Sequence, residues 1–513
     1  MRLAFGLRVS GGLPESFVLK SAGNRVALCW RDAGTVRHAE PSGAQVTGVC
    51  PTLMPRFLIG FVPGQPPGEA GAIPPIVVSD DAHLTQGAYR QAISHFPVLA
   101  SMSDAYILDT CRTPRGIGKI GKGALADCHP QHLAATVLMA LAARNQLDTR
   151  DVDDVIWGTS TQRGKQANDM ARMALLDAGY SHQVSGVTLD RFCGSGITTV
   201  NLAAASIASG FEDVVIAGGC EMMSYTATLA DPDQPPLMDA GNLRLRHNVP
   251  QSHQGICADA IATLEGISRE ALDDLALSSQ QRAAAAIANG YFDRSLVPVR
   301  RADGTIALDK EEFPRPQTTR EGLAGLKPAF TSLANVPVDG EGNTYASFIR
   351  QVYPDLKIEH VHHAGNSSGV VDGAGALLLA SGGYIKKRGL KARARIVAMA
   401  NMGDSPILML NGPVPATRKV LAKAGLTLDD IDLFEVNEAF AVVVEKYIRD
   451  LKLDRNKVNV NGGSIAMGHP IGATGSLLIG TLLDELERRD LRRGLVTMCA
   501  AGGMAPAIII ERV

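Results

Sequence analysis

The sequence predicts an α/β fold built around a buried sheet, and three observations carry that prediction. From about residue 104 onward, short apolar strand-like runs alternate with helical stretches. Several of the strands are apolar along their whole length, as in Asp213-Val214-Val215-Ile216-Ala217-Gly218-Gly219, the pattern of a strand covered on both faces. Third, the unit repeats. Residues 426–437 align without gaps on residues 147–158, with Asp432 falling on Asp153 and Ile431 on Val152. The approach 458–463 and its Gly-rich sequel echo the approach to Cys193. A duplicated α/β unit places related loops from both halves around one central site.

The first 103 residues read differently. Gly and Pro interrupt every apolar run, as in Phe61-Val62-Pro63-Gly64-Gln65-Pro66-Pro67-Gly68, and no helical or strand period lasts. The segment is expected to contribute little to the fold. Its arginines admit a transit peptide, but no amphipathic Arg-rich helix is evident. Met102 followed by Ser103-Asp104-Ala105-Tyr106-Ile107 reads as a natural start entering a first strand, so 1–101 is expected to be an upstream extension.

A strand from Ala105 leads into Thr110-Cys111-Arg112-Thr113-Pro114-Arg115-Gly116, a loop rich in cations, and a helix follows over 130–145. An acidic connection feeds a strand ending at Gly158. The segment 187–197 and a helix come next, and then the strand 213–219. The period breaks over about 221–341, where Pro-bearing loops mix with helices such as 269–289. This reads as a cap inserted into a first half spanning 104–390. A second half covers 391–513.

Composition narrows the function classes. Hydrophobic residues make up 45% of the 513, charged residues 20%, and the net charge is -2, so no global field favours nucleic acid or an anionic membrane. No basic cluster is interleaved with aromatics, and no apolar run approaches the roughly 20 residues of a membrane span. The eight cysteines are scattered without a CxxC pair. That argues against a disulfide framework or zinc knuckle and for a reducing, cytoplasmic setting.

The chemistry centres on Val187-Thr188-Leu189-Asp190-Arg191-Phe192-Cys193-Gly194-Ser195-Gly196-Ile197. A strand, a tight turn and a buried helix put Cys193 at or just before a helix N-terminus. Unpaired N–H groups and the helix dipole gather there, so the thiol is expected to ionise more easily than usual and act as a nucleophile. A buried structural cysteine is the competing reading. In the second half, Asn437-Glu438-Ala439-Phe440-Ala441 follows a strand. Gly468-His469-Pro470-Ile471-Gly472-Ala473-Thr474-Gly475 precedes a helix, and Cys499-Ala500-Ala501-Gly502-Gly503-Met504 follows another strand. A strand end bearing Cys and then Gly-Gly is a poor choice for ordinary packing.

These motifs, in this order and together with Ala217-Gly218-Gly219 and Glu221-Met222-Met223-Ser224, resemble the thiolase family over residues 104–513. The resemblance implies two thiolase-type halves in a layered α-β-α-β-α core. It implies acyl transfer between CoA thioesters, either cleavage of a 3-ketoacyl-CoA or the reverse condensation. Cys193 would carry the acyl group, His469 would activate it, and Cys499 would be the second acid/base. Asn437 would hold a water that forms one oxyanion hole with His469. The second hole would use the N–H of Cys193 and one from the final loop. Coenzyme A enters as co-substrate; no permanent cofactor and no metal are implied, and a homodimer or homotetramer is.

For coenzyme A the likeness rests on Arg315, near the nucleotide, Ser368, near pantetheine, and His253, lining the pocket. Read as residues alone, Arg315 is a surface cation and Ser368 a helix cap. There are departures. Ala501 stands where the family usually has Gly, which would be costly at an unusual φ. Gln254 replaces a usual Met, and Gly322 a frequent Ser. Two rivals remain at this stage, a ketoacyl-synthase-like condensing enzyme and a non-catalytic acyl- or lipid-binding relative.

Overall fold

The structure, a computed structural model, describes residues 104–230 and 237–513 in full and, before them, the backbone of four strands. The chain divides into two compact units, Met1–Ser101 and Met102–Val513. In the first, β1 (Phe17–Ala22), β2 (Arg25–Asp32), β3 (Thr35–Ala39) and β4 (Gln45–Val46) pair in sequence order as an antiparallel meander. The sequence reading found no lasting strand period here. It passed over Gly23-Asn24, a hairpin signal between β1 and β2. The other residues of 1–103, Met102 included, lie outside the described residues.

The second unit contains β5 (Ala105–Arg112), β6 (Gly116–Ile117), β7 (Asp154–Gly158), β8 (Ser185–Leu189), β9 (Val214–Met222), β10 (Val299–Arg300), β11 (Ile306–Leu308) and β12 (Val371–Ser381). Its later strands are β13 (Ala394–Gly403), β14 (Leu433–Val436), β15 (Arg493–Thr497) and β16 (Met504–Arg512). All but the β10–β11 hairpin join one sheet, in the order β14-β15-β16-β13-β5-β12-β9-β7-β8, with β6 beside β12. The order is symmetric about the β13–β5 pair. Moving outward, β12 matches β16 and β9 matches β15, each pairing antiparallel. β7 then matches β14, both parallel to their inner neighbour. Even the parallel β8 has its counterpart in a single bridge from Phe434 to Val458.

The aligned aspartates show why the repeat is visible in sequence. Asp153 Oδ2 accepts the N–H groups of Asp213 and Val214 at 2.8 and 2.9 Å, where β9 begins. Asp432 Oδ2 accepts those of Arg492 and Arg493 at 2.9 and 2.8 Å, where β15 begins. Each carboxylate satisfies two backbone donors at the start of its partner strand, so both halves need Asp at this point.

The layers follow from the helices α1 (Pro130–Arg144), α2 (Ser195–Ser209), α3 (Gln254–Leu264), α4 (Arg269–Ala288), α5 (Pro413–Ala424), α6 (Ala441–Leu451) and α7 (Thr474–Arg488). α2 and α7 pack on each other and on strands of both halves, so they form the middle layer. α1 covers the outer face of the first half and α5 that of the second. Residues alternate accordingly. On β9, Val214 and Ile216 face the outer core with Leu133 and Trp157, while Val215 and Ala217 face the inner core with Ile197 and Ile479. Every residue of β9 is buried, which accounts for its unbroken apolar run.

α2 and α7 cross at glycines. A Cβ on Gly196 would lie 2.8 Å from the backbone N of Gly475, and one on Gly475 would lie 2.1 Å from that of Ile197. No side chain fits between the two backbones.

The insertion occupies 223–370 between β9 and β12, further than the expected 221–341. The extra stretch includes a helix, Tyr345–Arg350, whose Thr344 cap and buried Tyr345 and Phe348 belong with the insertion. Although it springs from the first half, the insertion packs α3 and α4 against α6, and α4 against the short helix Ser464–Met467. It therefore lies over segments of the second half that adjoin Asn437 and His469. Replacement of Gly475 by Ala is expected to lower stability by about 1–3 kcal/mol or more, as overpacking does. Chemical denaturation measures this, and a fully native midpoint would show that the crossing tolerates a methyl group.

Candidate active site

Cys193 is presented by a strained turn. After β8, Phe192 takes a positive φ of 49°, sparsely populated for a bulky residue. Local hydrogen bonds hold it there. Ser195 Oγ accepts the N–H of Arg191 at 2.8 Å and donates to the carbonyl of Phe192 at 2.7 Å, and Asp190 accepts the N–H of Phe192 at 2.6 Å. α2 begins at Ser195, so the cysteine sits just ahead of the helix, as expected. Its expected ionisation is not observed. Burial pushes the thiol up to about 12, although the N–H groups of Cys193 and Ala501 are directed at the sulfur; the carboxylates Glu221 and Asp190 add to the rise. Desolvation of the thiolate outweighs the backbone dipoles.

His469 is buried on the turn before α7 and is locked in one tautomer. Thr474 Oγ1 donates to the carbonyl of Pro470 at 2.9 Å, so at 2.5 Å from His469 Nδ1 it accepts that nitrogen's proton. Nε2 is left with its lone pair. Burial, and then the nearby Arg115 cation, hold the imidazole down to about 3, so it is neutral at ordinary pH. Asn437 Nδ2 lies 3.5 Å from His469 Nε2, and the amide is oriented by Ser464, whose hydroxyl donates to Asn437 Oδ1 at 2.6 Å.

Cys499 ends the strand segment after β15 and is buried. Burial first, and then Cys193, raise its thiol, which places the two cysteines in one electrostatic neighbourhood. The final loop resolves the doubt about Ala501. Gly502 and Gly503 take the positive φ values, 75° and 76°, while Ala501 does not. Ala501 therefore supplies its N–H toward Cys193 without strain.

Glu221, quoted in the sequence only as part of a motif, fastens these loops together. Its buried carboxylate accepts N–H groups from Ser160, Thr161 and Gly472 at 2.9, 3.1 and 3.0 Å and from the Gln166 side chain at 2.8 Å. Glu438 does the same on the other side, accepting from Ser279, Asn459 and Ile465. Sequence reasoning gave no role to Thr474, Ser464, Glu221 or Glu438. The signal was their position inside or beside Gly-rich motifs, but their partners are distant in sequence.

The residues expected near coenzyme A form a looser group. Ser368 donates its N–H to the carbonyl of Ala439, in the loop after Asn437. Arg315 is exposed and lies over the ring of Phe313, with 5.6 Å from guanidinium to centroid. That ring in turn closes on Gly369, where a Cβ would meet it at 2.2 Å. Arg315 and Ser368 thus flank one stretch of backbone. His253 caps α3, its Nδ1 accepting the N–H of Gly255 at 3.1 Å, and packs against Phe330 and Tyr345. Gly322 donates its N–H to Thr319 Oγ1 at 3.0 Å, the cap of a short helix, and has no side chain to offer there. Among the described residues no group of three or more His, Cys, Asp or Glu could hold a metal ion.

Two thiols, a neutral imidazole with a free lone pair, and backbone donors aimed at sulfur make a site suited to acyl transfer. Family comparison agrees. The model of the thiolase N-terminal domain matches residues 105–337 and that of the thiolase C-terminal domain matches 390–512. A steroid 3-ketoacyl-CoA thiolase of Mycobacterium tuberculosis is 40% identical over 420 residues, 80% of this chain and 95% of that one. An acetyl-CoA acetyltransferase of Escherichia coli is 39% identical over 422 residues, 80% of this chain and all of its own. In three dimensions the chain resembles the Bacillus anthracis acetyl-CoA acetyltransferase, with TM-score 0.68 and 35% identity over 80% of this chain and 100% of that one. The chain belongs to the thiolase family of acyl-CoA acyltransferases.

With both partners neutral at rest, the thiolate absorbance that Cys193 contributes, measured as native protein minus Cys193→Ala, is expected to be absent at neutral pH and to emerge only in alkali. A full thiolate signal at neutral pH would mean a resting ion pair with His469.

Proposed function

We propose that the protein transfers acyl groups between CoA thioesters by a ping-pong route through Cys193. One observation carries this reading. His469, neutral, holds its Nδ1 against Thr474 on the turn before α7, whose Gly475 meets Gly196 of the helix that Cys193 precedes, and Cys499 shares an electrostatic neighbourhood with Cys193. In cleavage, Nε2 takes the Cys193 proton as sulfur attacks the 3-keto carbon. The C2–C3 bond breaks, its electron pair passes to C2, and Cys499 supplies the proton that completes acetyl-CoA. The Cys499 thiolate then takes the proton of the incoming CoA thiol, and the CoA sulfur displaces Cys193 from the acyl group. The departing thiolate recovers its proton from His469. Condensation of two acetyl-CoA molecules is the reverse.

Electrostatic support comes where charge develops. Asn437, oriented by Ser464, and the N–H groups of Cys193 and Ala501 are the donors available to developing oxyanions. Desolvation raises both thiols, so each thiolate is a strong base when it forms and reprotonates readily. Cys499 as second acid/base favours a thiolase over a ketoacyl-synthase-like enzyme, and retention of all three reacting groups speaks against a passive binder. Ser368, Arg315 and His253 are the residues proposed to meet coenzyme A.

The catalytic unit is proposed to be 104–513, arranged as halves 104–390 and 391–513. A cytoplasmic setting is supported by the six described cysteines, all unpaired, and no helix among the described residues is long and apolar enough to cross a membrane. A homodimer or homotetramer is supported by β8, an edge strand with Val187 exposed; sedimentation that finds only monomer at assay concentrations would refute it.

The direct test is CoA-dependent cleavage of acetoacetyl-CoA beside a long-chain 3-ketoacyl-CoA, using the full chain and a chain beginning at Met102. CoA-dependent turnover of at least one substrate is expected in both proteins, and the preferred one defines the chain length served. No turnover of either by folded full-length protein would contradict the proposed function, and loss confined to the shortened chain would contradict only the assignment of the catalytic unit.

A further inference from the structure

Behind the His469 turn lies a buried charged cluster that the reaction scheme does not use. Its core is Arg112, the last residue of β5, Arg115 from the loop that follows, and one carboxylate from the insertion. Arg112 Nη1 is 2.5 Å from Glu311 Oε1, and Arg115 Nη2 is 3.6 Å from the same oxygen. Glu311 Oε2 also accepts the backbone N–H of Arg115 at 2.8 Å. Both arginine side chains are 3% exposed and that of Glu311 is 1% exposed. Burying three charges is costly, and a structure retains such a group where something other than packing is gained.

Arg115 points at the catalytic turn. Its Nη1 donates to the carbonyl of Gly468 at 3.2 Å, and Nη2 lies 3.7 Å from the sulfur of Met467. Gly468 is held on its other side as well. It has φ of +90°, and a Cβ there would meet Val371 at 2.3 Å. The next residue, His469, donates its N–H to the carbonyl of Gly369 at 2.9 Å. The turn is therefore clamped between β12 with its preceding loop and the guanidinium of Arg115.

We propose that Arg115, held by Glu311 of the insertion, is a positioning residue for acyl transfer that braces the His469 turn and keeps a fixed positive charge beside the imidazole.

Charge accounting supports a net cation at this place. The two guanidiniums keep Glu311 ionised against the rise that burial would cause, leaving one uncompensated positive charge in the cluster. Glu435 on β14 is the next carboxyl. Burial, and then Glu438 and Glu485, raise it well above the usual range, against the pull of Arg115 and Arg282, so its own charge is disfavoured there. The other groups around the turn are committed elsewhere. Glu221 accepts from Gly472, and Asp372 on β12 is bound to the N–H and hydroxyl of Ser224. Asn437 and Thr474 face His469 as neutral groups, and Cys193 and Cys499 are neutral thiols. Burial is the first cause of the low imidazole affinity for protons, and Arg115 is the charged group that adds to it. A cation there keeps Nε2 unprotonated and able to accept from the thiol.

The inference rests on His469 serving as the base, and its test separates the two claims. In the full-length enzyme, kcat/KM is measured against pH for native protein, Arg115→Lys, Arg115→Gln and Arg115→Met, alongside nuclear magnetic resonance titration of the His469 ring. Removing the cation raises the imidazole pKa, and protonated imidazole is inactive. Gln and Met are therefore expected to bring the acid limb and the ring titration to higher pH, and because the turn also loses the guanidinium fork on Gly468, kcat is expected to fall at least about tenfold with KM changing little. Lys, which keeps the charge but not the fork, is expected to hold the limb near its native place. If Met does not fold, the comparison of Gln with Lys decides, because Gln retains a neutral donor for Gly468. Coincident limbs and ring titrations in native, Gln and Lys proteins would overturn the role of Arg115 and leave His469 as base untouched. A native ring titration with no relation to activity would instead remove the base assignment itself.

Discussion

The site depends on one close approach, the crossing of two helices at Gly196 and Gly475. Helices α2 and α7 are the middle layer of the second unit, and each begins just after the turn that carries Cys193 or His469. With no side chain between their backbones, the Cys193 turn and the His469 turn are drawn from opposite halves of the chain into one place. A single Cβ would separate not only two helices but the proposed nucleophile, Cys193, and its proposed base, His469. Gly196 and Gly475 thus serve packing first, and through it the placing of the Cys193 and His469 turns. Gly219 and Gly158 extend the same theme, since a Cβ on either would collide with the carbonyl of Gly472.

The second organising fact is that Cys193, His469 and Cys499 are all buried. Burial opposes ionisation of both cysteines and protonation of the histidine. The resting state is therefore a set of neutral groups whose directions are set by hydrogen bonds. Thr474 fixes the proton on Nδ1, Ser464 fixes the amide of Asn437, and Glu221 and Glu438 tie the loops by their backbone N–H groups. Charge appears only during the reaction, where preorganised donors already point. Arg115 is the exception, a permanent charge kept at one remove from the reacting atoms.

Much of this was legible in the sequence, for identifiable reasons. Strand and helix periods survive in buried layers, so the α/β class and most element positions could be read directly. The repeat was visible because Asp153 and Asp432 perform the same backbone task. Cys193, His469 and Cys499 stand in Gly-rich turns that ordinary packing does not favour, and Asn437 follows a strand in a motif of the same family order. What escaped was whatever depends on distant partners or on solvent exclusion. Glu311 meets Arg115 across 196 positions, and Glu221 meets Gly472 across 251. The helix-start position of Cys193 suggested an acidic thiol, but sequence does not display desolvation. The extent of the insertion was underestimated because residues 342–370 belong to it by contact rather than by composition.

The central claim is that Cys193 carries the acyl group between the two half-reactions, and mass spectrometry of the protein after brief exposure to acetoacetyl-CoA without free CoA tests it most directly. The account predicts an acetyl adduct on the peptide containing Cys193, discharged by added CoA and missing from Cys193→Ala. An adduct that persists in Cys193→Ala, or an active native enzyme that turns over with no adduct under any quench, would contradict it.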